Sequence, residues 1–357
     1  TSRKVPQNNN EGFNINGKRV PQKGYITDEL TNYTIDWLKN RETSNPFFVY
    51  VSHKAVHSDF VAADRHRGMY KNRTVPENPA IPGKDNSAFY VNKPMWLQNQ
   101  RNSRHGVNYA YNLVDFDLDK YYQRYTETLV AVDENAGRIL QYLEGSGELD
   151  NTVIIYMGDN GFQFGEHGLI DKRTAYNASI QVPLLIRYPE WIESGLVVDE
   201  VVANIDIAPT LLNIAGTVTP SEMDGKSFLP LIRGESVPWR KKILYEYYWE
   251  NNYPYTPTTF ALLTDRYKYI HYYGIWDIDE LYDRKNDPHE INNLIHDQKY
   301  NEVVKQLKDE LAGLLKSTGG DKIPLQEERG NQYPWRKEEA AGQAPFPTFF
   351  FQKPADK

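Results

Sequence analysis

Two short stretches of this 357-residue chain bring together side chains that could do chemistry. The first is Gly158-Asp159-Asn160-Gly161, followed by Gly165-Glu166-His167-Gly168 and Asp171-Lys172-Arg173. A carboxylate beside an amide carbonyl supplies hard oxygen donors of the kind that calcium or magnesium takes, and flanking glycines let the backbone pass close to an ion. Two donors do not make a site, and Asp-Asn-Gly is also a common turn held by its own side chains. The second stretch is His53-Lys54-Ala55-Val56-His57. Imidazoles that titrate near neutral pH, next to an ammonium, can hold an oxyanion and protonate a leaving group. His and Lys at a surface turn are, however, more often simply solvated.

Both stretches follow apolar runs that read as strands. Pro46 to Ser52 and Thr152 to Met157 are short, continuous and rich in β-branched and aromatic residues, as buried parallel strands are. Val182 to Arg187 is a third such run. Helical spacing of apolar residues over Thr27 to Leu38, Tyr121 to Leu143 and around Asp206 to Ala215 supplies the alternating helices. The pattern predicts an α/β fold with a mostly parallel sheet sandwiched by helices, in which ligands bind beyond the carboxyl ends of the strands. The opening residues to about Gly24 read as an irregular connection, and His66 to Leu113, broken by Pro76, Pro79, Pro82 and Pro94, as a long polar loop. After Arg233 the texture changes. Ile243 to Tyr248, Thr259 to Leu263 and Tyr267 to Tyr273 have hairpin spacing, and Tyr300 to Leu315 is amphipathic, so a small antiparallel sheet with one helix is expected. The divisions are then 1–235 for the α/β domain, 236–318 for a C-terminal α+β subdomain and 319–357 for an extended tail, whose Phe346 to Phe351 is its apolar part.

Composition narrows the function classes. A formal net charge of −7 argues against a broad electrostatic grip on nucleic acid. No run approaches the roughly 18 apolar residues of a membrane-spanning helix. Cysteine is absent, which excludes a disulfide framework, a thiolate metal site and a cysteine nucleophile among these residues. The 26 Tyr and 7 Trp suit either sheet packing or a sugar-binding surface, and composition does not separate the two.

Taken together, the motifs resemble a known family. Val153 to Arg187, with its strand, Asp-Asn pair, Gly-Glu-His-Gly turn, Lys172 and Val-Pro-Leu strand, is similar to the second signature region of type I sulfatases, members of the alkaline-phosphatase superfamily. His53 to His57 resembles the family's His-Lys-Ala-Pro-His block. Glu280-Leu-Tyr-Asp and Asp287-Pro-His-Glu-Ile-Asn-Asn-Leu294 resemble its late C-terminal signature. The resemblance runs from about Gly24 to Leu315, with Val56 in place of the usual Pro and Asn177 where many relatives have Glu.

The resemblance implies a calcium-dependent sulfuric ester hydrolase acting on a sulfated oligosaccharide or polysaccharide, in the periplasm or secreted. It makes Asp159 and Asn160 metal ligands, Lys172 a sulfate contact and His57 the group facing the sulfate and ester oxygen, with Lys54 and His105 as candidate sugar contacts. The family's acidic metal pair and its Cys or Ser before x-Pro-x-Arg, the precursor of formylglycine, do not occur here. The expectation is therefore the C-terminal two-thirds of such an enzyme. A phosphonate or phosphodiester hydrolase of the same superfamily, or a non-catalytic remnant that binds sulfated glycans, are the alternatives. The sugar, the sulfate position and the oligomeric state are not legible at this level.

Overall fold

The computed structural model describes residues 12–57, 60–82, 87–100, 104–105, 109–110, 117–250 and 256–323. The tail anticipated at 319–357 lies, from residue 324 on, outside the described residues. In chain order the elements are the hairpin β1 (Phe13–Ile15) and β2 (Lys18–Val20), helices α1 (Ile26–Asn40) and α2 (Met95–Gln100), and the short pair β3 (Arg104–His105) and β4 (Tyr109–Ala110). Then come α3 (Leu118–Gly145), β5 (Ile154–Met157), β6 (Gln163–Phe164), β7 (Ile170–Asp171), α4 (Asn177–Ile180), β8 (Leu184–Arg187), α5 (Ile207–Ile214) and α6 (Leu229–Ile232). The C-terminal part contains β9 (Lys242–Tyr247), β10 (Thr258–Thr264), β11 (Tyr267–Tyr273), β12 (Glu280–Asp283) and α7 (Asn301–Thr318). The architecture is α/β with a small antiparallel sheet. The chain divides into two compact units, 1–76 with 117–156 and 185–194, and 77–116 with 157–184 and 195–357.

In the first unit α1 packs on α3. The long helix α3 starts where the Asp117 side chain accepts the Lys120 N–H at 3.0 Å, and it stops at Ser146 before Gly147, whose φ of 74° lies in the left-handed region that favours glycine. Tyr121, Thr128, Ala131, Val132, Asn135 and Leu143 form its buried stripe. Polar contacts register the helices: Asp28 accepts both terminal nitrogens of Arg65 at 2.7 and 2.8 Å and the Asn135 amide at 2.7 Å, while Arg65 also reaches Glu134. The Arg65 guanidinium thereby holds the Asp28 carboxyl below its ordinary pKa.

Strands β5 and β8, which fall within two of the apolar runs read as strands, pair with each other. Pro46 to Ser52 differs. It is extended but carries no strand ladder among the described residues; Phe47, Val49 and Val51 are half-buried, whereas Phe48 and Tyr50 are 69% and 81% exposed. The opening segment also differs, since residues 13–20 form a hairpin closed by the Gly17 N–H donating to Asn14 Oδ1 at 2.8 Å. Within the segment read as one long loop, α2 and the pair β3 and β4 are short ordered pieces. The N-terminus of α2 is capped from outside that segment, by Asp277, which accepts the N–H groups of Met95 and Trp96 at 2.9 and 2.8 Å.

In the second unit the sheet order is β12-β11-β10-β9, antiparallel throughout. Period-2 alternation gives it two different faces. Phe260, Leu262, Tyr269 and Leu281 face Leu307, Leu311 and Leu315 of α7 in one buried cluster. Each buried leucine there contributes on the order of 2 kcal/mol by removing apolar surface from water. The other face carries Lys268, Tyr272, Glu280 and Tyr282, all buried.

Two outcomes follow from this packing. Leu311→Ala is expected to lower unfolding free energy by roughly 2 to 5 kcal/mol, read from urea denaturation, because a cavity is left between α7 and the sheet. For Asp28 the folded-state pKa is lowered, so its contribution is complete above the unfolded value of 3.8 and is lost as pH falls through the lower folded value. The stability gap between wild type and Asp28→Asn should accordingly be complete at about pH 7 and narrow as pH falls below the unfolded value.

Candidate active site

The Asp-Asn turn leaves β5 and enters β6 through a tight backbone path. Asp159 is exposed and its Oδ1 accepts the Asn160 N–H at 2.8 Å, while Asn160 Nδ2 donates to the Gly161 carbonyl at 2.7 Å. Gly161 then donates its N–H to the Ser179 carbonyl at 2.8 Å. A Cβ on Gly161 would lie 2.1 Å from the Ala178 carbonyl oxygen, so only glycine lets the turn close against α4.

Strands β6 and β7 form a small antiparallel hairpin with Gln163 opposite Asp171 and Phe164 opposite Ile170. Lys172 follows β7 directly, and Gly161 and Phe162 separate Asn160 from β6. The hairpin thus lies between the Asp159-Asn160 turn and Lys172 in the chain. Its connection is the Gly165 to Gly168 turn, in which Gly165, His167 and Gly168 have φ of 103°, 57° and 74°. His167 is buried, donates its N–H to the Ala80 carbonyl at 2.7 Å and stacks on Tyr176 with ring centroids 3.8 Å apart. Burial, with Lys93 and Lys268 nearby, holds its imidazole well below the ordinary pKa, so it is a neutral packing element. Glu166 accepts the Phe164 N–H at 2.5 Å and the Asn78 amide at 3.3 Å, and burial pushes its carboxyl up. Buried Gln163 accepts the hydroxyls of Thr174 and Ser179, both at 3.2 Å, which ties β6 to the chain beyond Lys172.

Next to Lys172, the Asp171 carboxylate forms an ion pair with Arg173, and Arg173 Nε lies 3.4 Å from Glu250. Burial raises the Asp171 pKa and the Arg173 charge opposes this. The reading of residue types did not single out Asp171, Arg173 or Glu250 as a unit. The adjacency of Asp171 and Arg173 to Lys172 was a visible signal; Glu250 is far along the chain and gave none.

The remaining candidates come from other segments of the chain. His53, Lys54 and His57 belong to the first unit, at the end of the extended run. The His57 N–H donates to the Lys54 carbonyl at 2.9 Å, the Ala55-Val56 peptide is cis, and Lys54 and His57 are exposed. Burial lowers the pKa of half-buried His53. His105 is the last residue of β3, and its side chain lies outside the described residues. Asp159 and Asn160 are donors of the type calcium takes, but they supply only part of the about six to eight oxygens it needs. Among the described residues no group of three or more His, Asp or Glu is arranged to hold a metal ion. No described helix is long and apolar enough to cross a membrane.

Comparison with known proteins bears on this arrangement. The family model described as N-sulphoglucosamine sulphohydrolase, C-terminal, matches residues 165–317, and the sulfatase model matches residues 1–217. The chain is 33% identical over 345 residues to an N-acetylglucosamine-6-O-sulfatase of Bacteroides thetaiotaomicron, covering 82% of this chain and 61% of that protein. It is 33% identical over 322 residues to an N-acetylglucosamine-6-sulfatase of Capra hircus, covering 82% of this chain and 54% of the relative. The chain thus spans little more than half the length of these curated relatives. A solved structure in complex with its substrate D-glucosamine-2-N,6-O-disulfate superposes with a TM-score of 0.75 at 29% identity, over 87% of this chain and 74% of that one. A phosphonate monoester hydrolase of Agrobacterium radiobacter, at 24% identity and a TM-score of 0.71 over 86% and 64%, shares the fold. With a sulfatase model matching more than half of its residues, this chain belongs to the sulfatase family.

Proposed function

We propose that the chain is part of an enzyme that hydrolyses an O-sulfate ester of a glucosamine-type carbohydrate, with calcium as its cation and a formylglycine nucleophile outside these residues. The observation that supports the reading is the β6 and β7 hairpin, which joins the segment after the Asp159-Asn160 turn to the segment that begins with Lys172. That pairing of one cationic side chain with hard oxygen donors suits an anionic ester held between an ammonium and a metal ion. The relatives named for glucosamine 6-sulfate favour sulfate over phosphate, and the likeness to the phosphonate hydrolase supports the shared fold alone.

In this reading Lys172 neutralises a sulfate oxygen as charge builds there, and its fixed place in the hairpin spares reorganisation during reaction. Asp159 and Asn160 hold part of the cation's coordination sphere. Calcium, when bound, supplies positive charge to the sulfate oxygens. His57 delivers a proton to the leaving alcohol, and Lys54 and His105 contact the sugar. A polymeric or oligosaccharide substrate places the enzyme in the periplasm or outside the cell. A relative named as an extracellular sulfatase homologue of Drosophila melanogaster supports this.

The chain extended upstream through a nucleophile-bearing segment is expected to release sulfate from 6-O-sulfated N-acetylglucosamine in a calcium-dependent manner. Lys172→Ala should lower its kcat by about 100-fold or more. The 357-residue chain alone should bind calcium weakly and turn nothing over. Calcium-dependent sulfate release by this chain alone, abolished by Asp159→Ala, would overturn the placing of the nucleophile. Hydrolysis of a phosphonate or phosphodiester by the extended protein, with no sulfate release, would establish the phosphoryl reading instead. Binding of the sulfated sugar with no hydrolysis of either would mark a glycan-binding remnant.

A further inference from the structure

We infer that Asp171, Arg173 and Glu250 act together as positioning residues that aim Lys172 at its anionic ligand, an inference resting on the role given to Lys172 above. The starting observation is backbone strain. Asp171 has φ of 123°, a region that L residues other than glycine rarely adopt, and it is only 9% exposed. Such a conformation costs of order 1–3 kcal/mol and persists only where the surroundings over-determine it.

The strain has a geometric consequence at the next residue. In a regular strand, side chains two apart share a face, so Lys172 would follow Ile170, which is fully buried. An ammonium there would be carried into the core. The positive φ at Asp171 breaks the alternation, and Lys172, directly after the hairpin, is half-buried.

Three contacts hold the turn in place. The Gln163 and Asp171 pairing fixes the hairpin side. The buried Asp171 carboxylate is ion-paired with Arg173, two residues on, which closes the loop around Lys172. Arg173 Nε then lies in ion-pair range of Glu250, at 3.4 Å without a hydrogen bond, just past β9. The anchoring surface is the face of β9 that carries Tyr245 and Tyr247, opposite to Leu244 on the α7 side; the Arg173 charge is felt at both phenols, against the burial that pushes them up. The arrangement therefore ties the orientation of one lysine to the C-terminal sheet.

Acylation of Lys172 by an amine-reactive reagent, quantified by mass spectrometry with and without 6-O-sulfated N-acetylglucosamine, tests this. In wild type the sugar sulfate should slow labelling of Lys172 roughly tenfold. Asp171→Gly, which relieves the strain but loses the ion pair to Arg173, should lose part of that protection, whereas Asp171→Ala, strained as well as unclamped, should reduce it to less than about twofold. A purely structural role would make protection follow melting temperature, so melting curves are recorded for each variant. Should Asp171→Ala fail to fold, Glu250→Gln and Arg173→Lys load the same clamp from its outer end and should weaken protection while the protein stays folded. Wild-type protection in the folded Asp171→Ala, or in both outer variants, overturns the positioning role while leaving Lys172 as a ligand. Absence of protection in wild type removes the Lys172 assignment itself, and the inference falls with it.

Discussion

The second unit is organised around one buried carboxylate. Glu280 is fully buried, and it accepts the Tyr176 hydroxyl at 2.8 and 3.0 Å together with the hydroxyls of Tyr272 and Tyr282. An unpaired carboxylate at such a site would cost several kcal/mol, so the three phenols are a condition of its burial. Burial and the Glu280 charge hold all three phenols well above their ordinary pKa, which keeps them as donors at any physiological pH. Two of the tyrosines come from the C-terminal sheet, and the third comes from the segment that follows Lys172.

Lysines extend the same logic. Lys93 donates to the Tyr282 hydroxyl at 2.6 Å and to the Glu290 carbonyl at 2.9 Å, with its ammonium 4.6 Å from the Tyr282 ring centroid. Lys268 donates to the Ala175 carbonyl at 2.7 Å and to Asn177 at 2.8 Å, and it forms an ion pair with Glu290, which in turn accepts the Asn177 N–H at 2.7 Å. Burial pushes both ammonium groups down in pKa, and the neighbouring carboxylates oppose that. The late signature around Glu280 to Leu294 is thus tied to the Asp159 to Asn177 region by chemistry. The sheet's polar face grips residues 175–177, and those residues end the loop that presents Lys172.

Asn177, the departure from the family pattern at that position, has a specific place in this network. Its Oδ1 accepts from Lys268. The Lys268 charge is balanced by Glu290 of the late signature, so the neutral amide adds an acceptor without adding a second buried charge. In the first unit the corresponding polar device is Arg65 with Asp28 and Glu134, which registers helices.

Much of the secondary structure was legible because its causes are local. The apolar stripe of α3, the spacing of Val304, Leu307, Leu311 and Leu315 in α7, and the alternation in β10 and β11 are periodicities that a chain carries wherever it folds. Asp159, Asn160 and Lys172 were also visible, since a metal-type donor pair and a cation lie within one hairpin of each other. Pro46 to Ser52 shows the limit: its residue types specify an extended strand, but a ladder needs a second backbone alongside, which no local pattern supplies. The hairpin at residues 13–20 was missed for the opposite reason, because polar composition concealed a turn made by Asn14 and Gly17. Only tertiary structure decided that Glu280 would be a buried acceptor for three phenols and that Asp171 would be held in a strained turn by Arg173 and Glu250. Both depend on burial, which removes competing water and makes each charge require a partner, and burial is a property of the folded chain that residue order alone does not display.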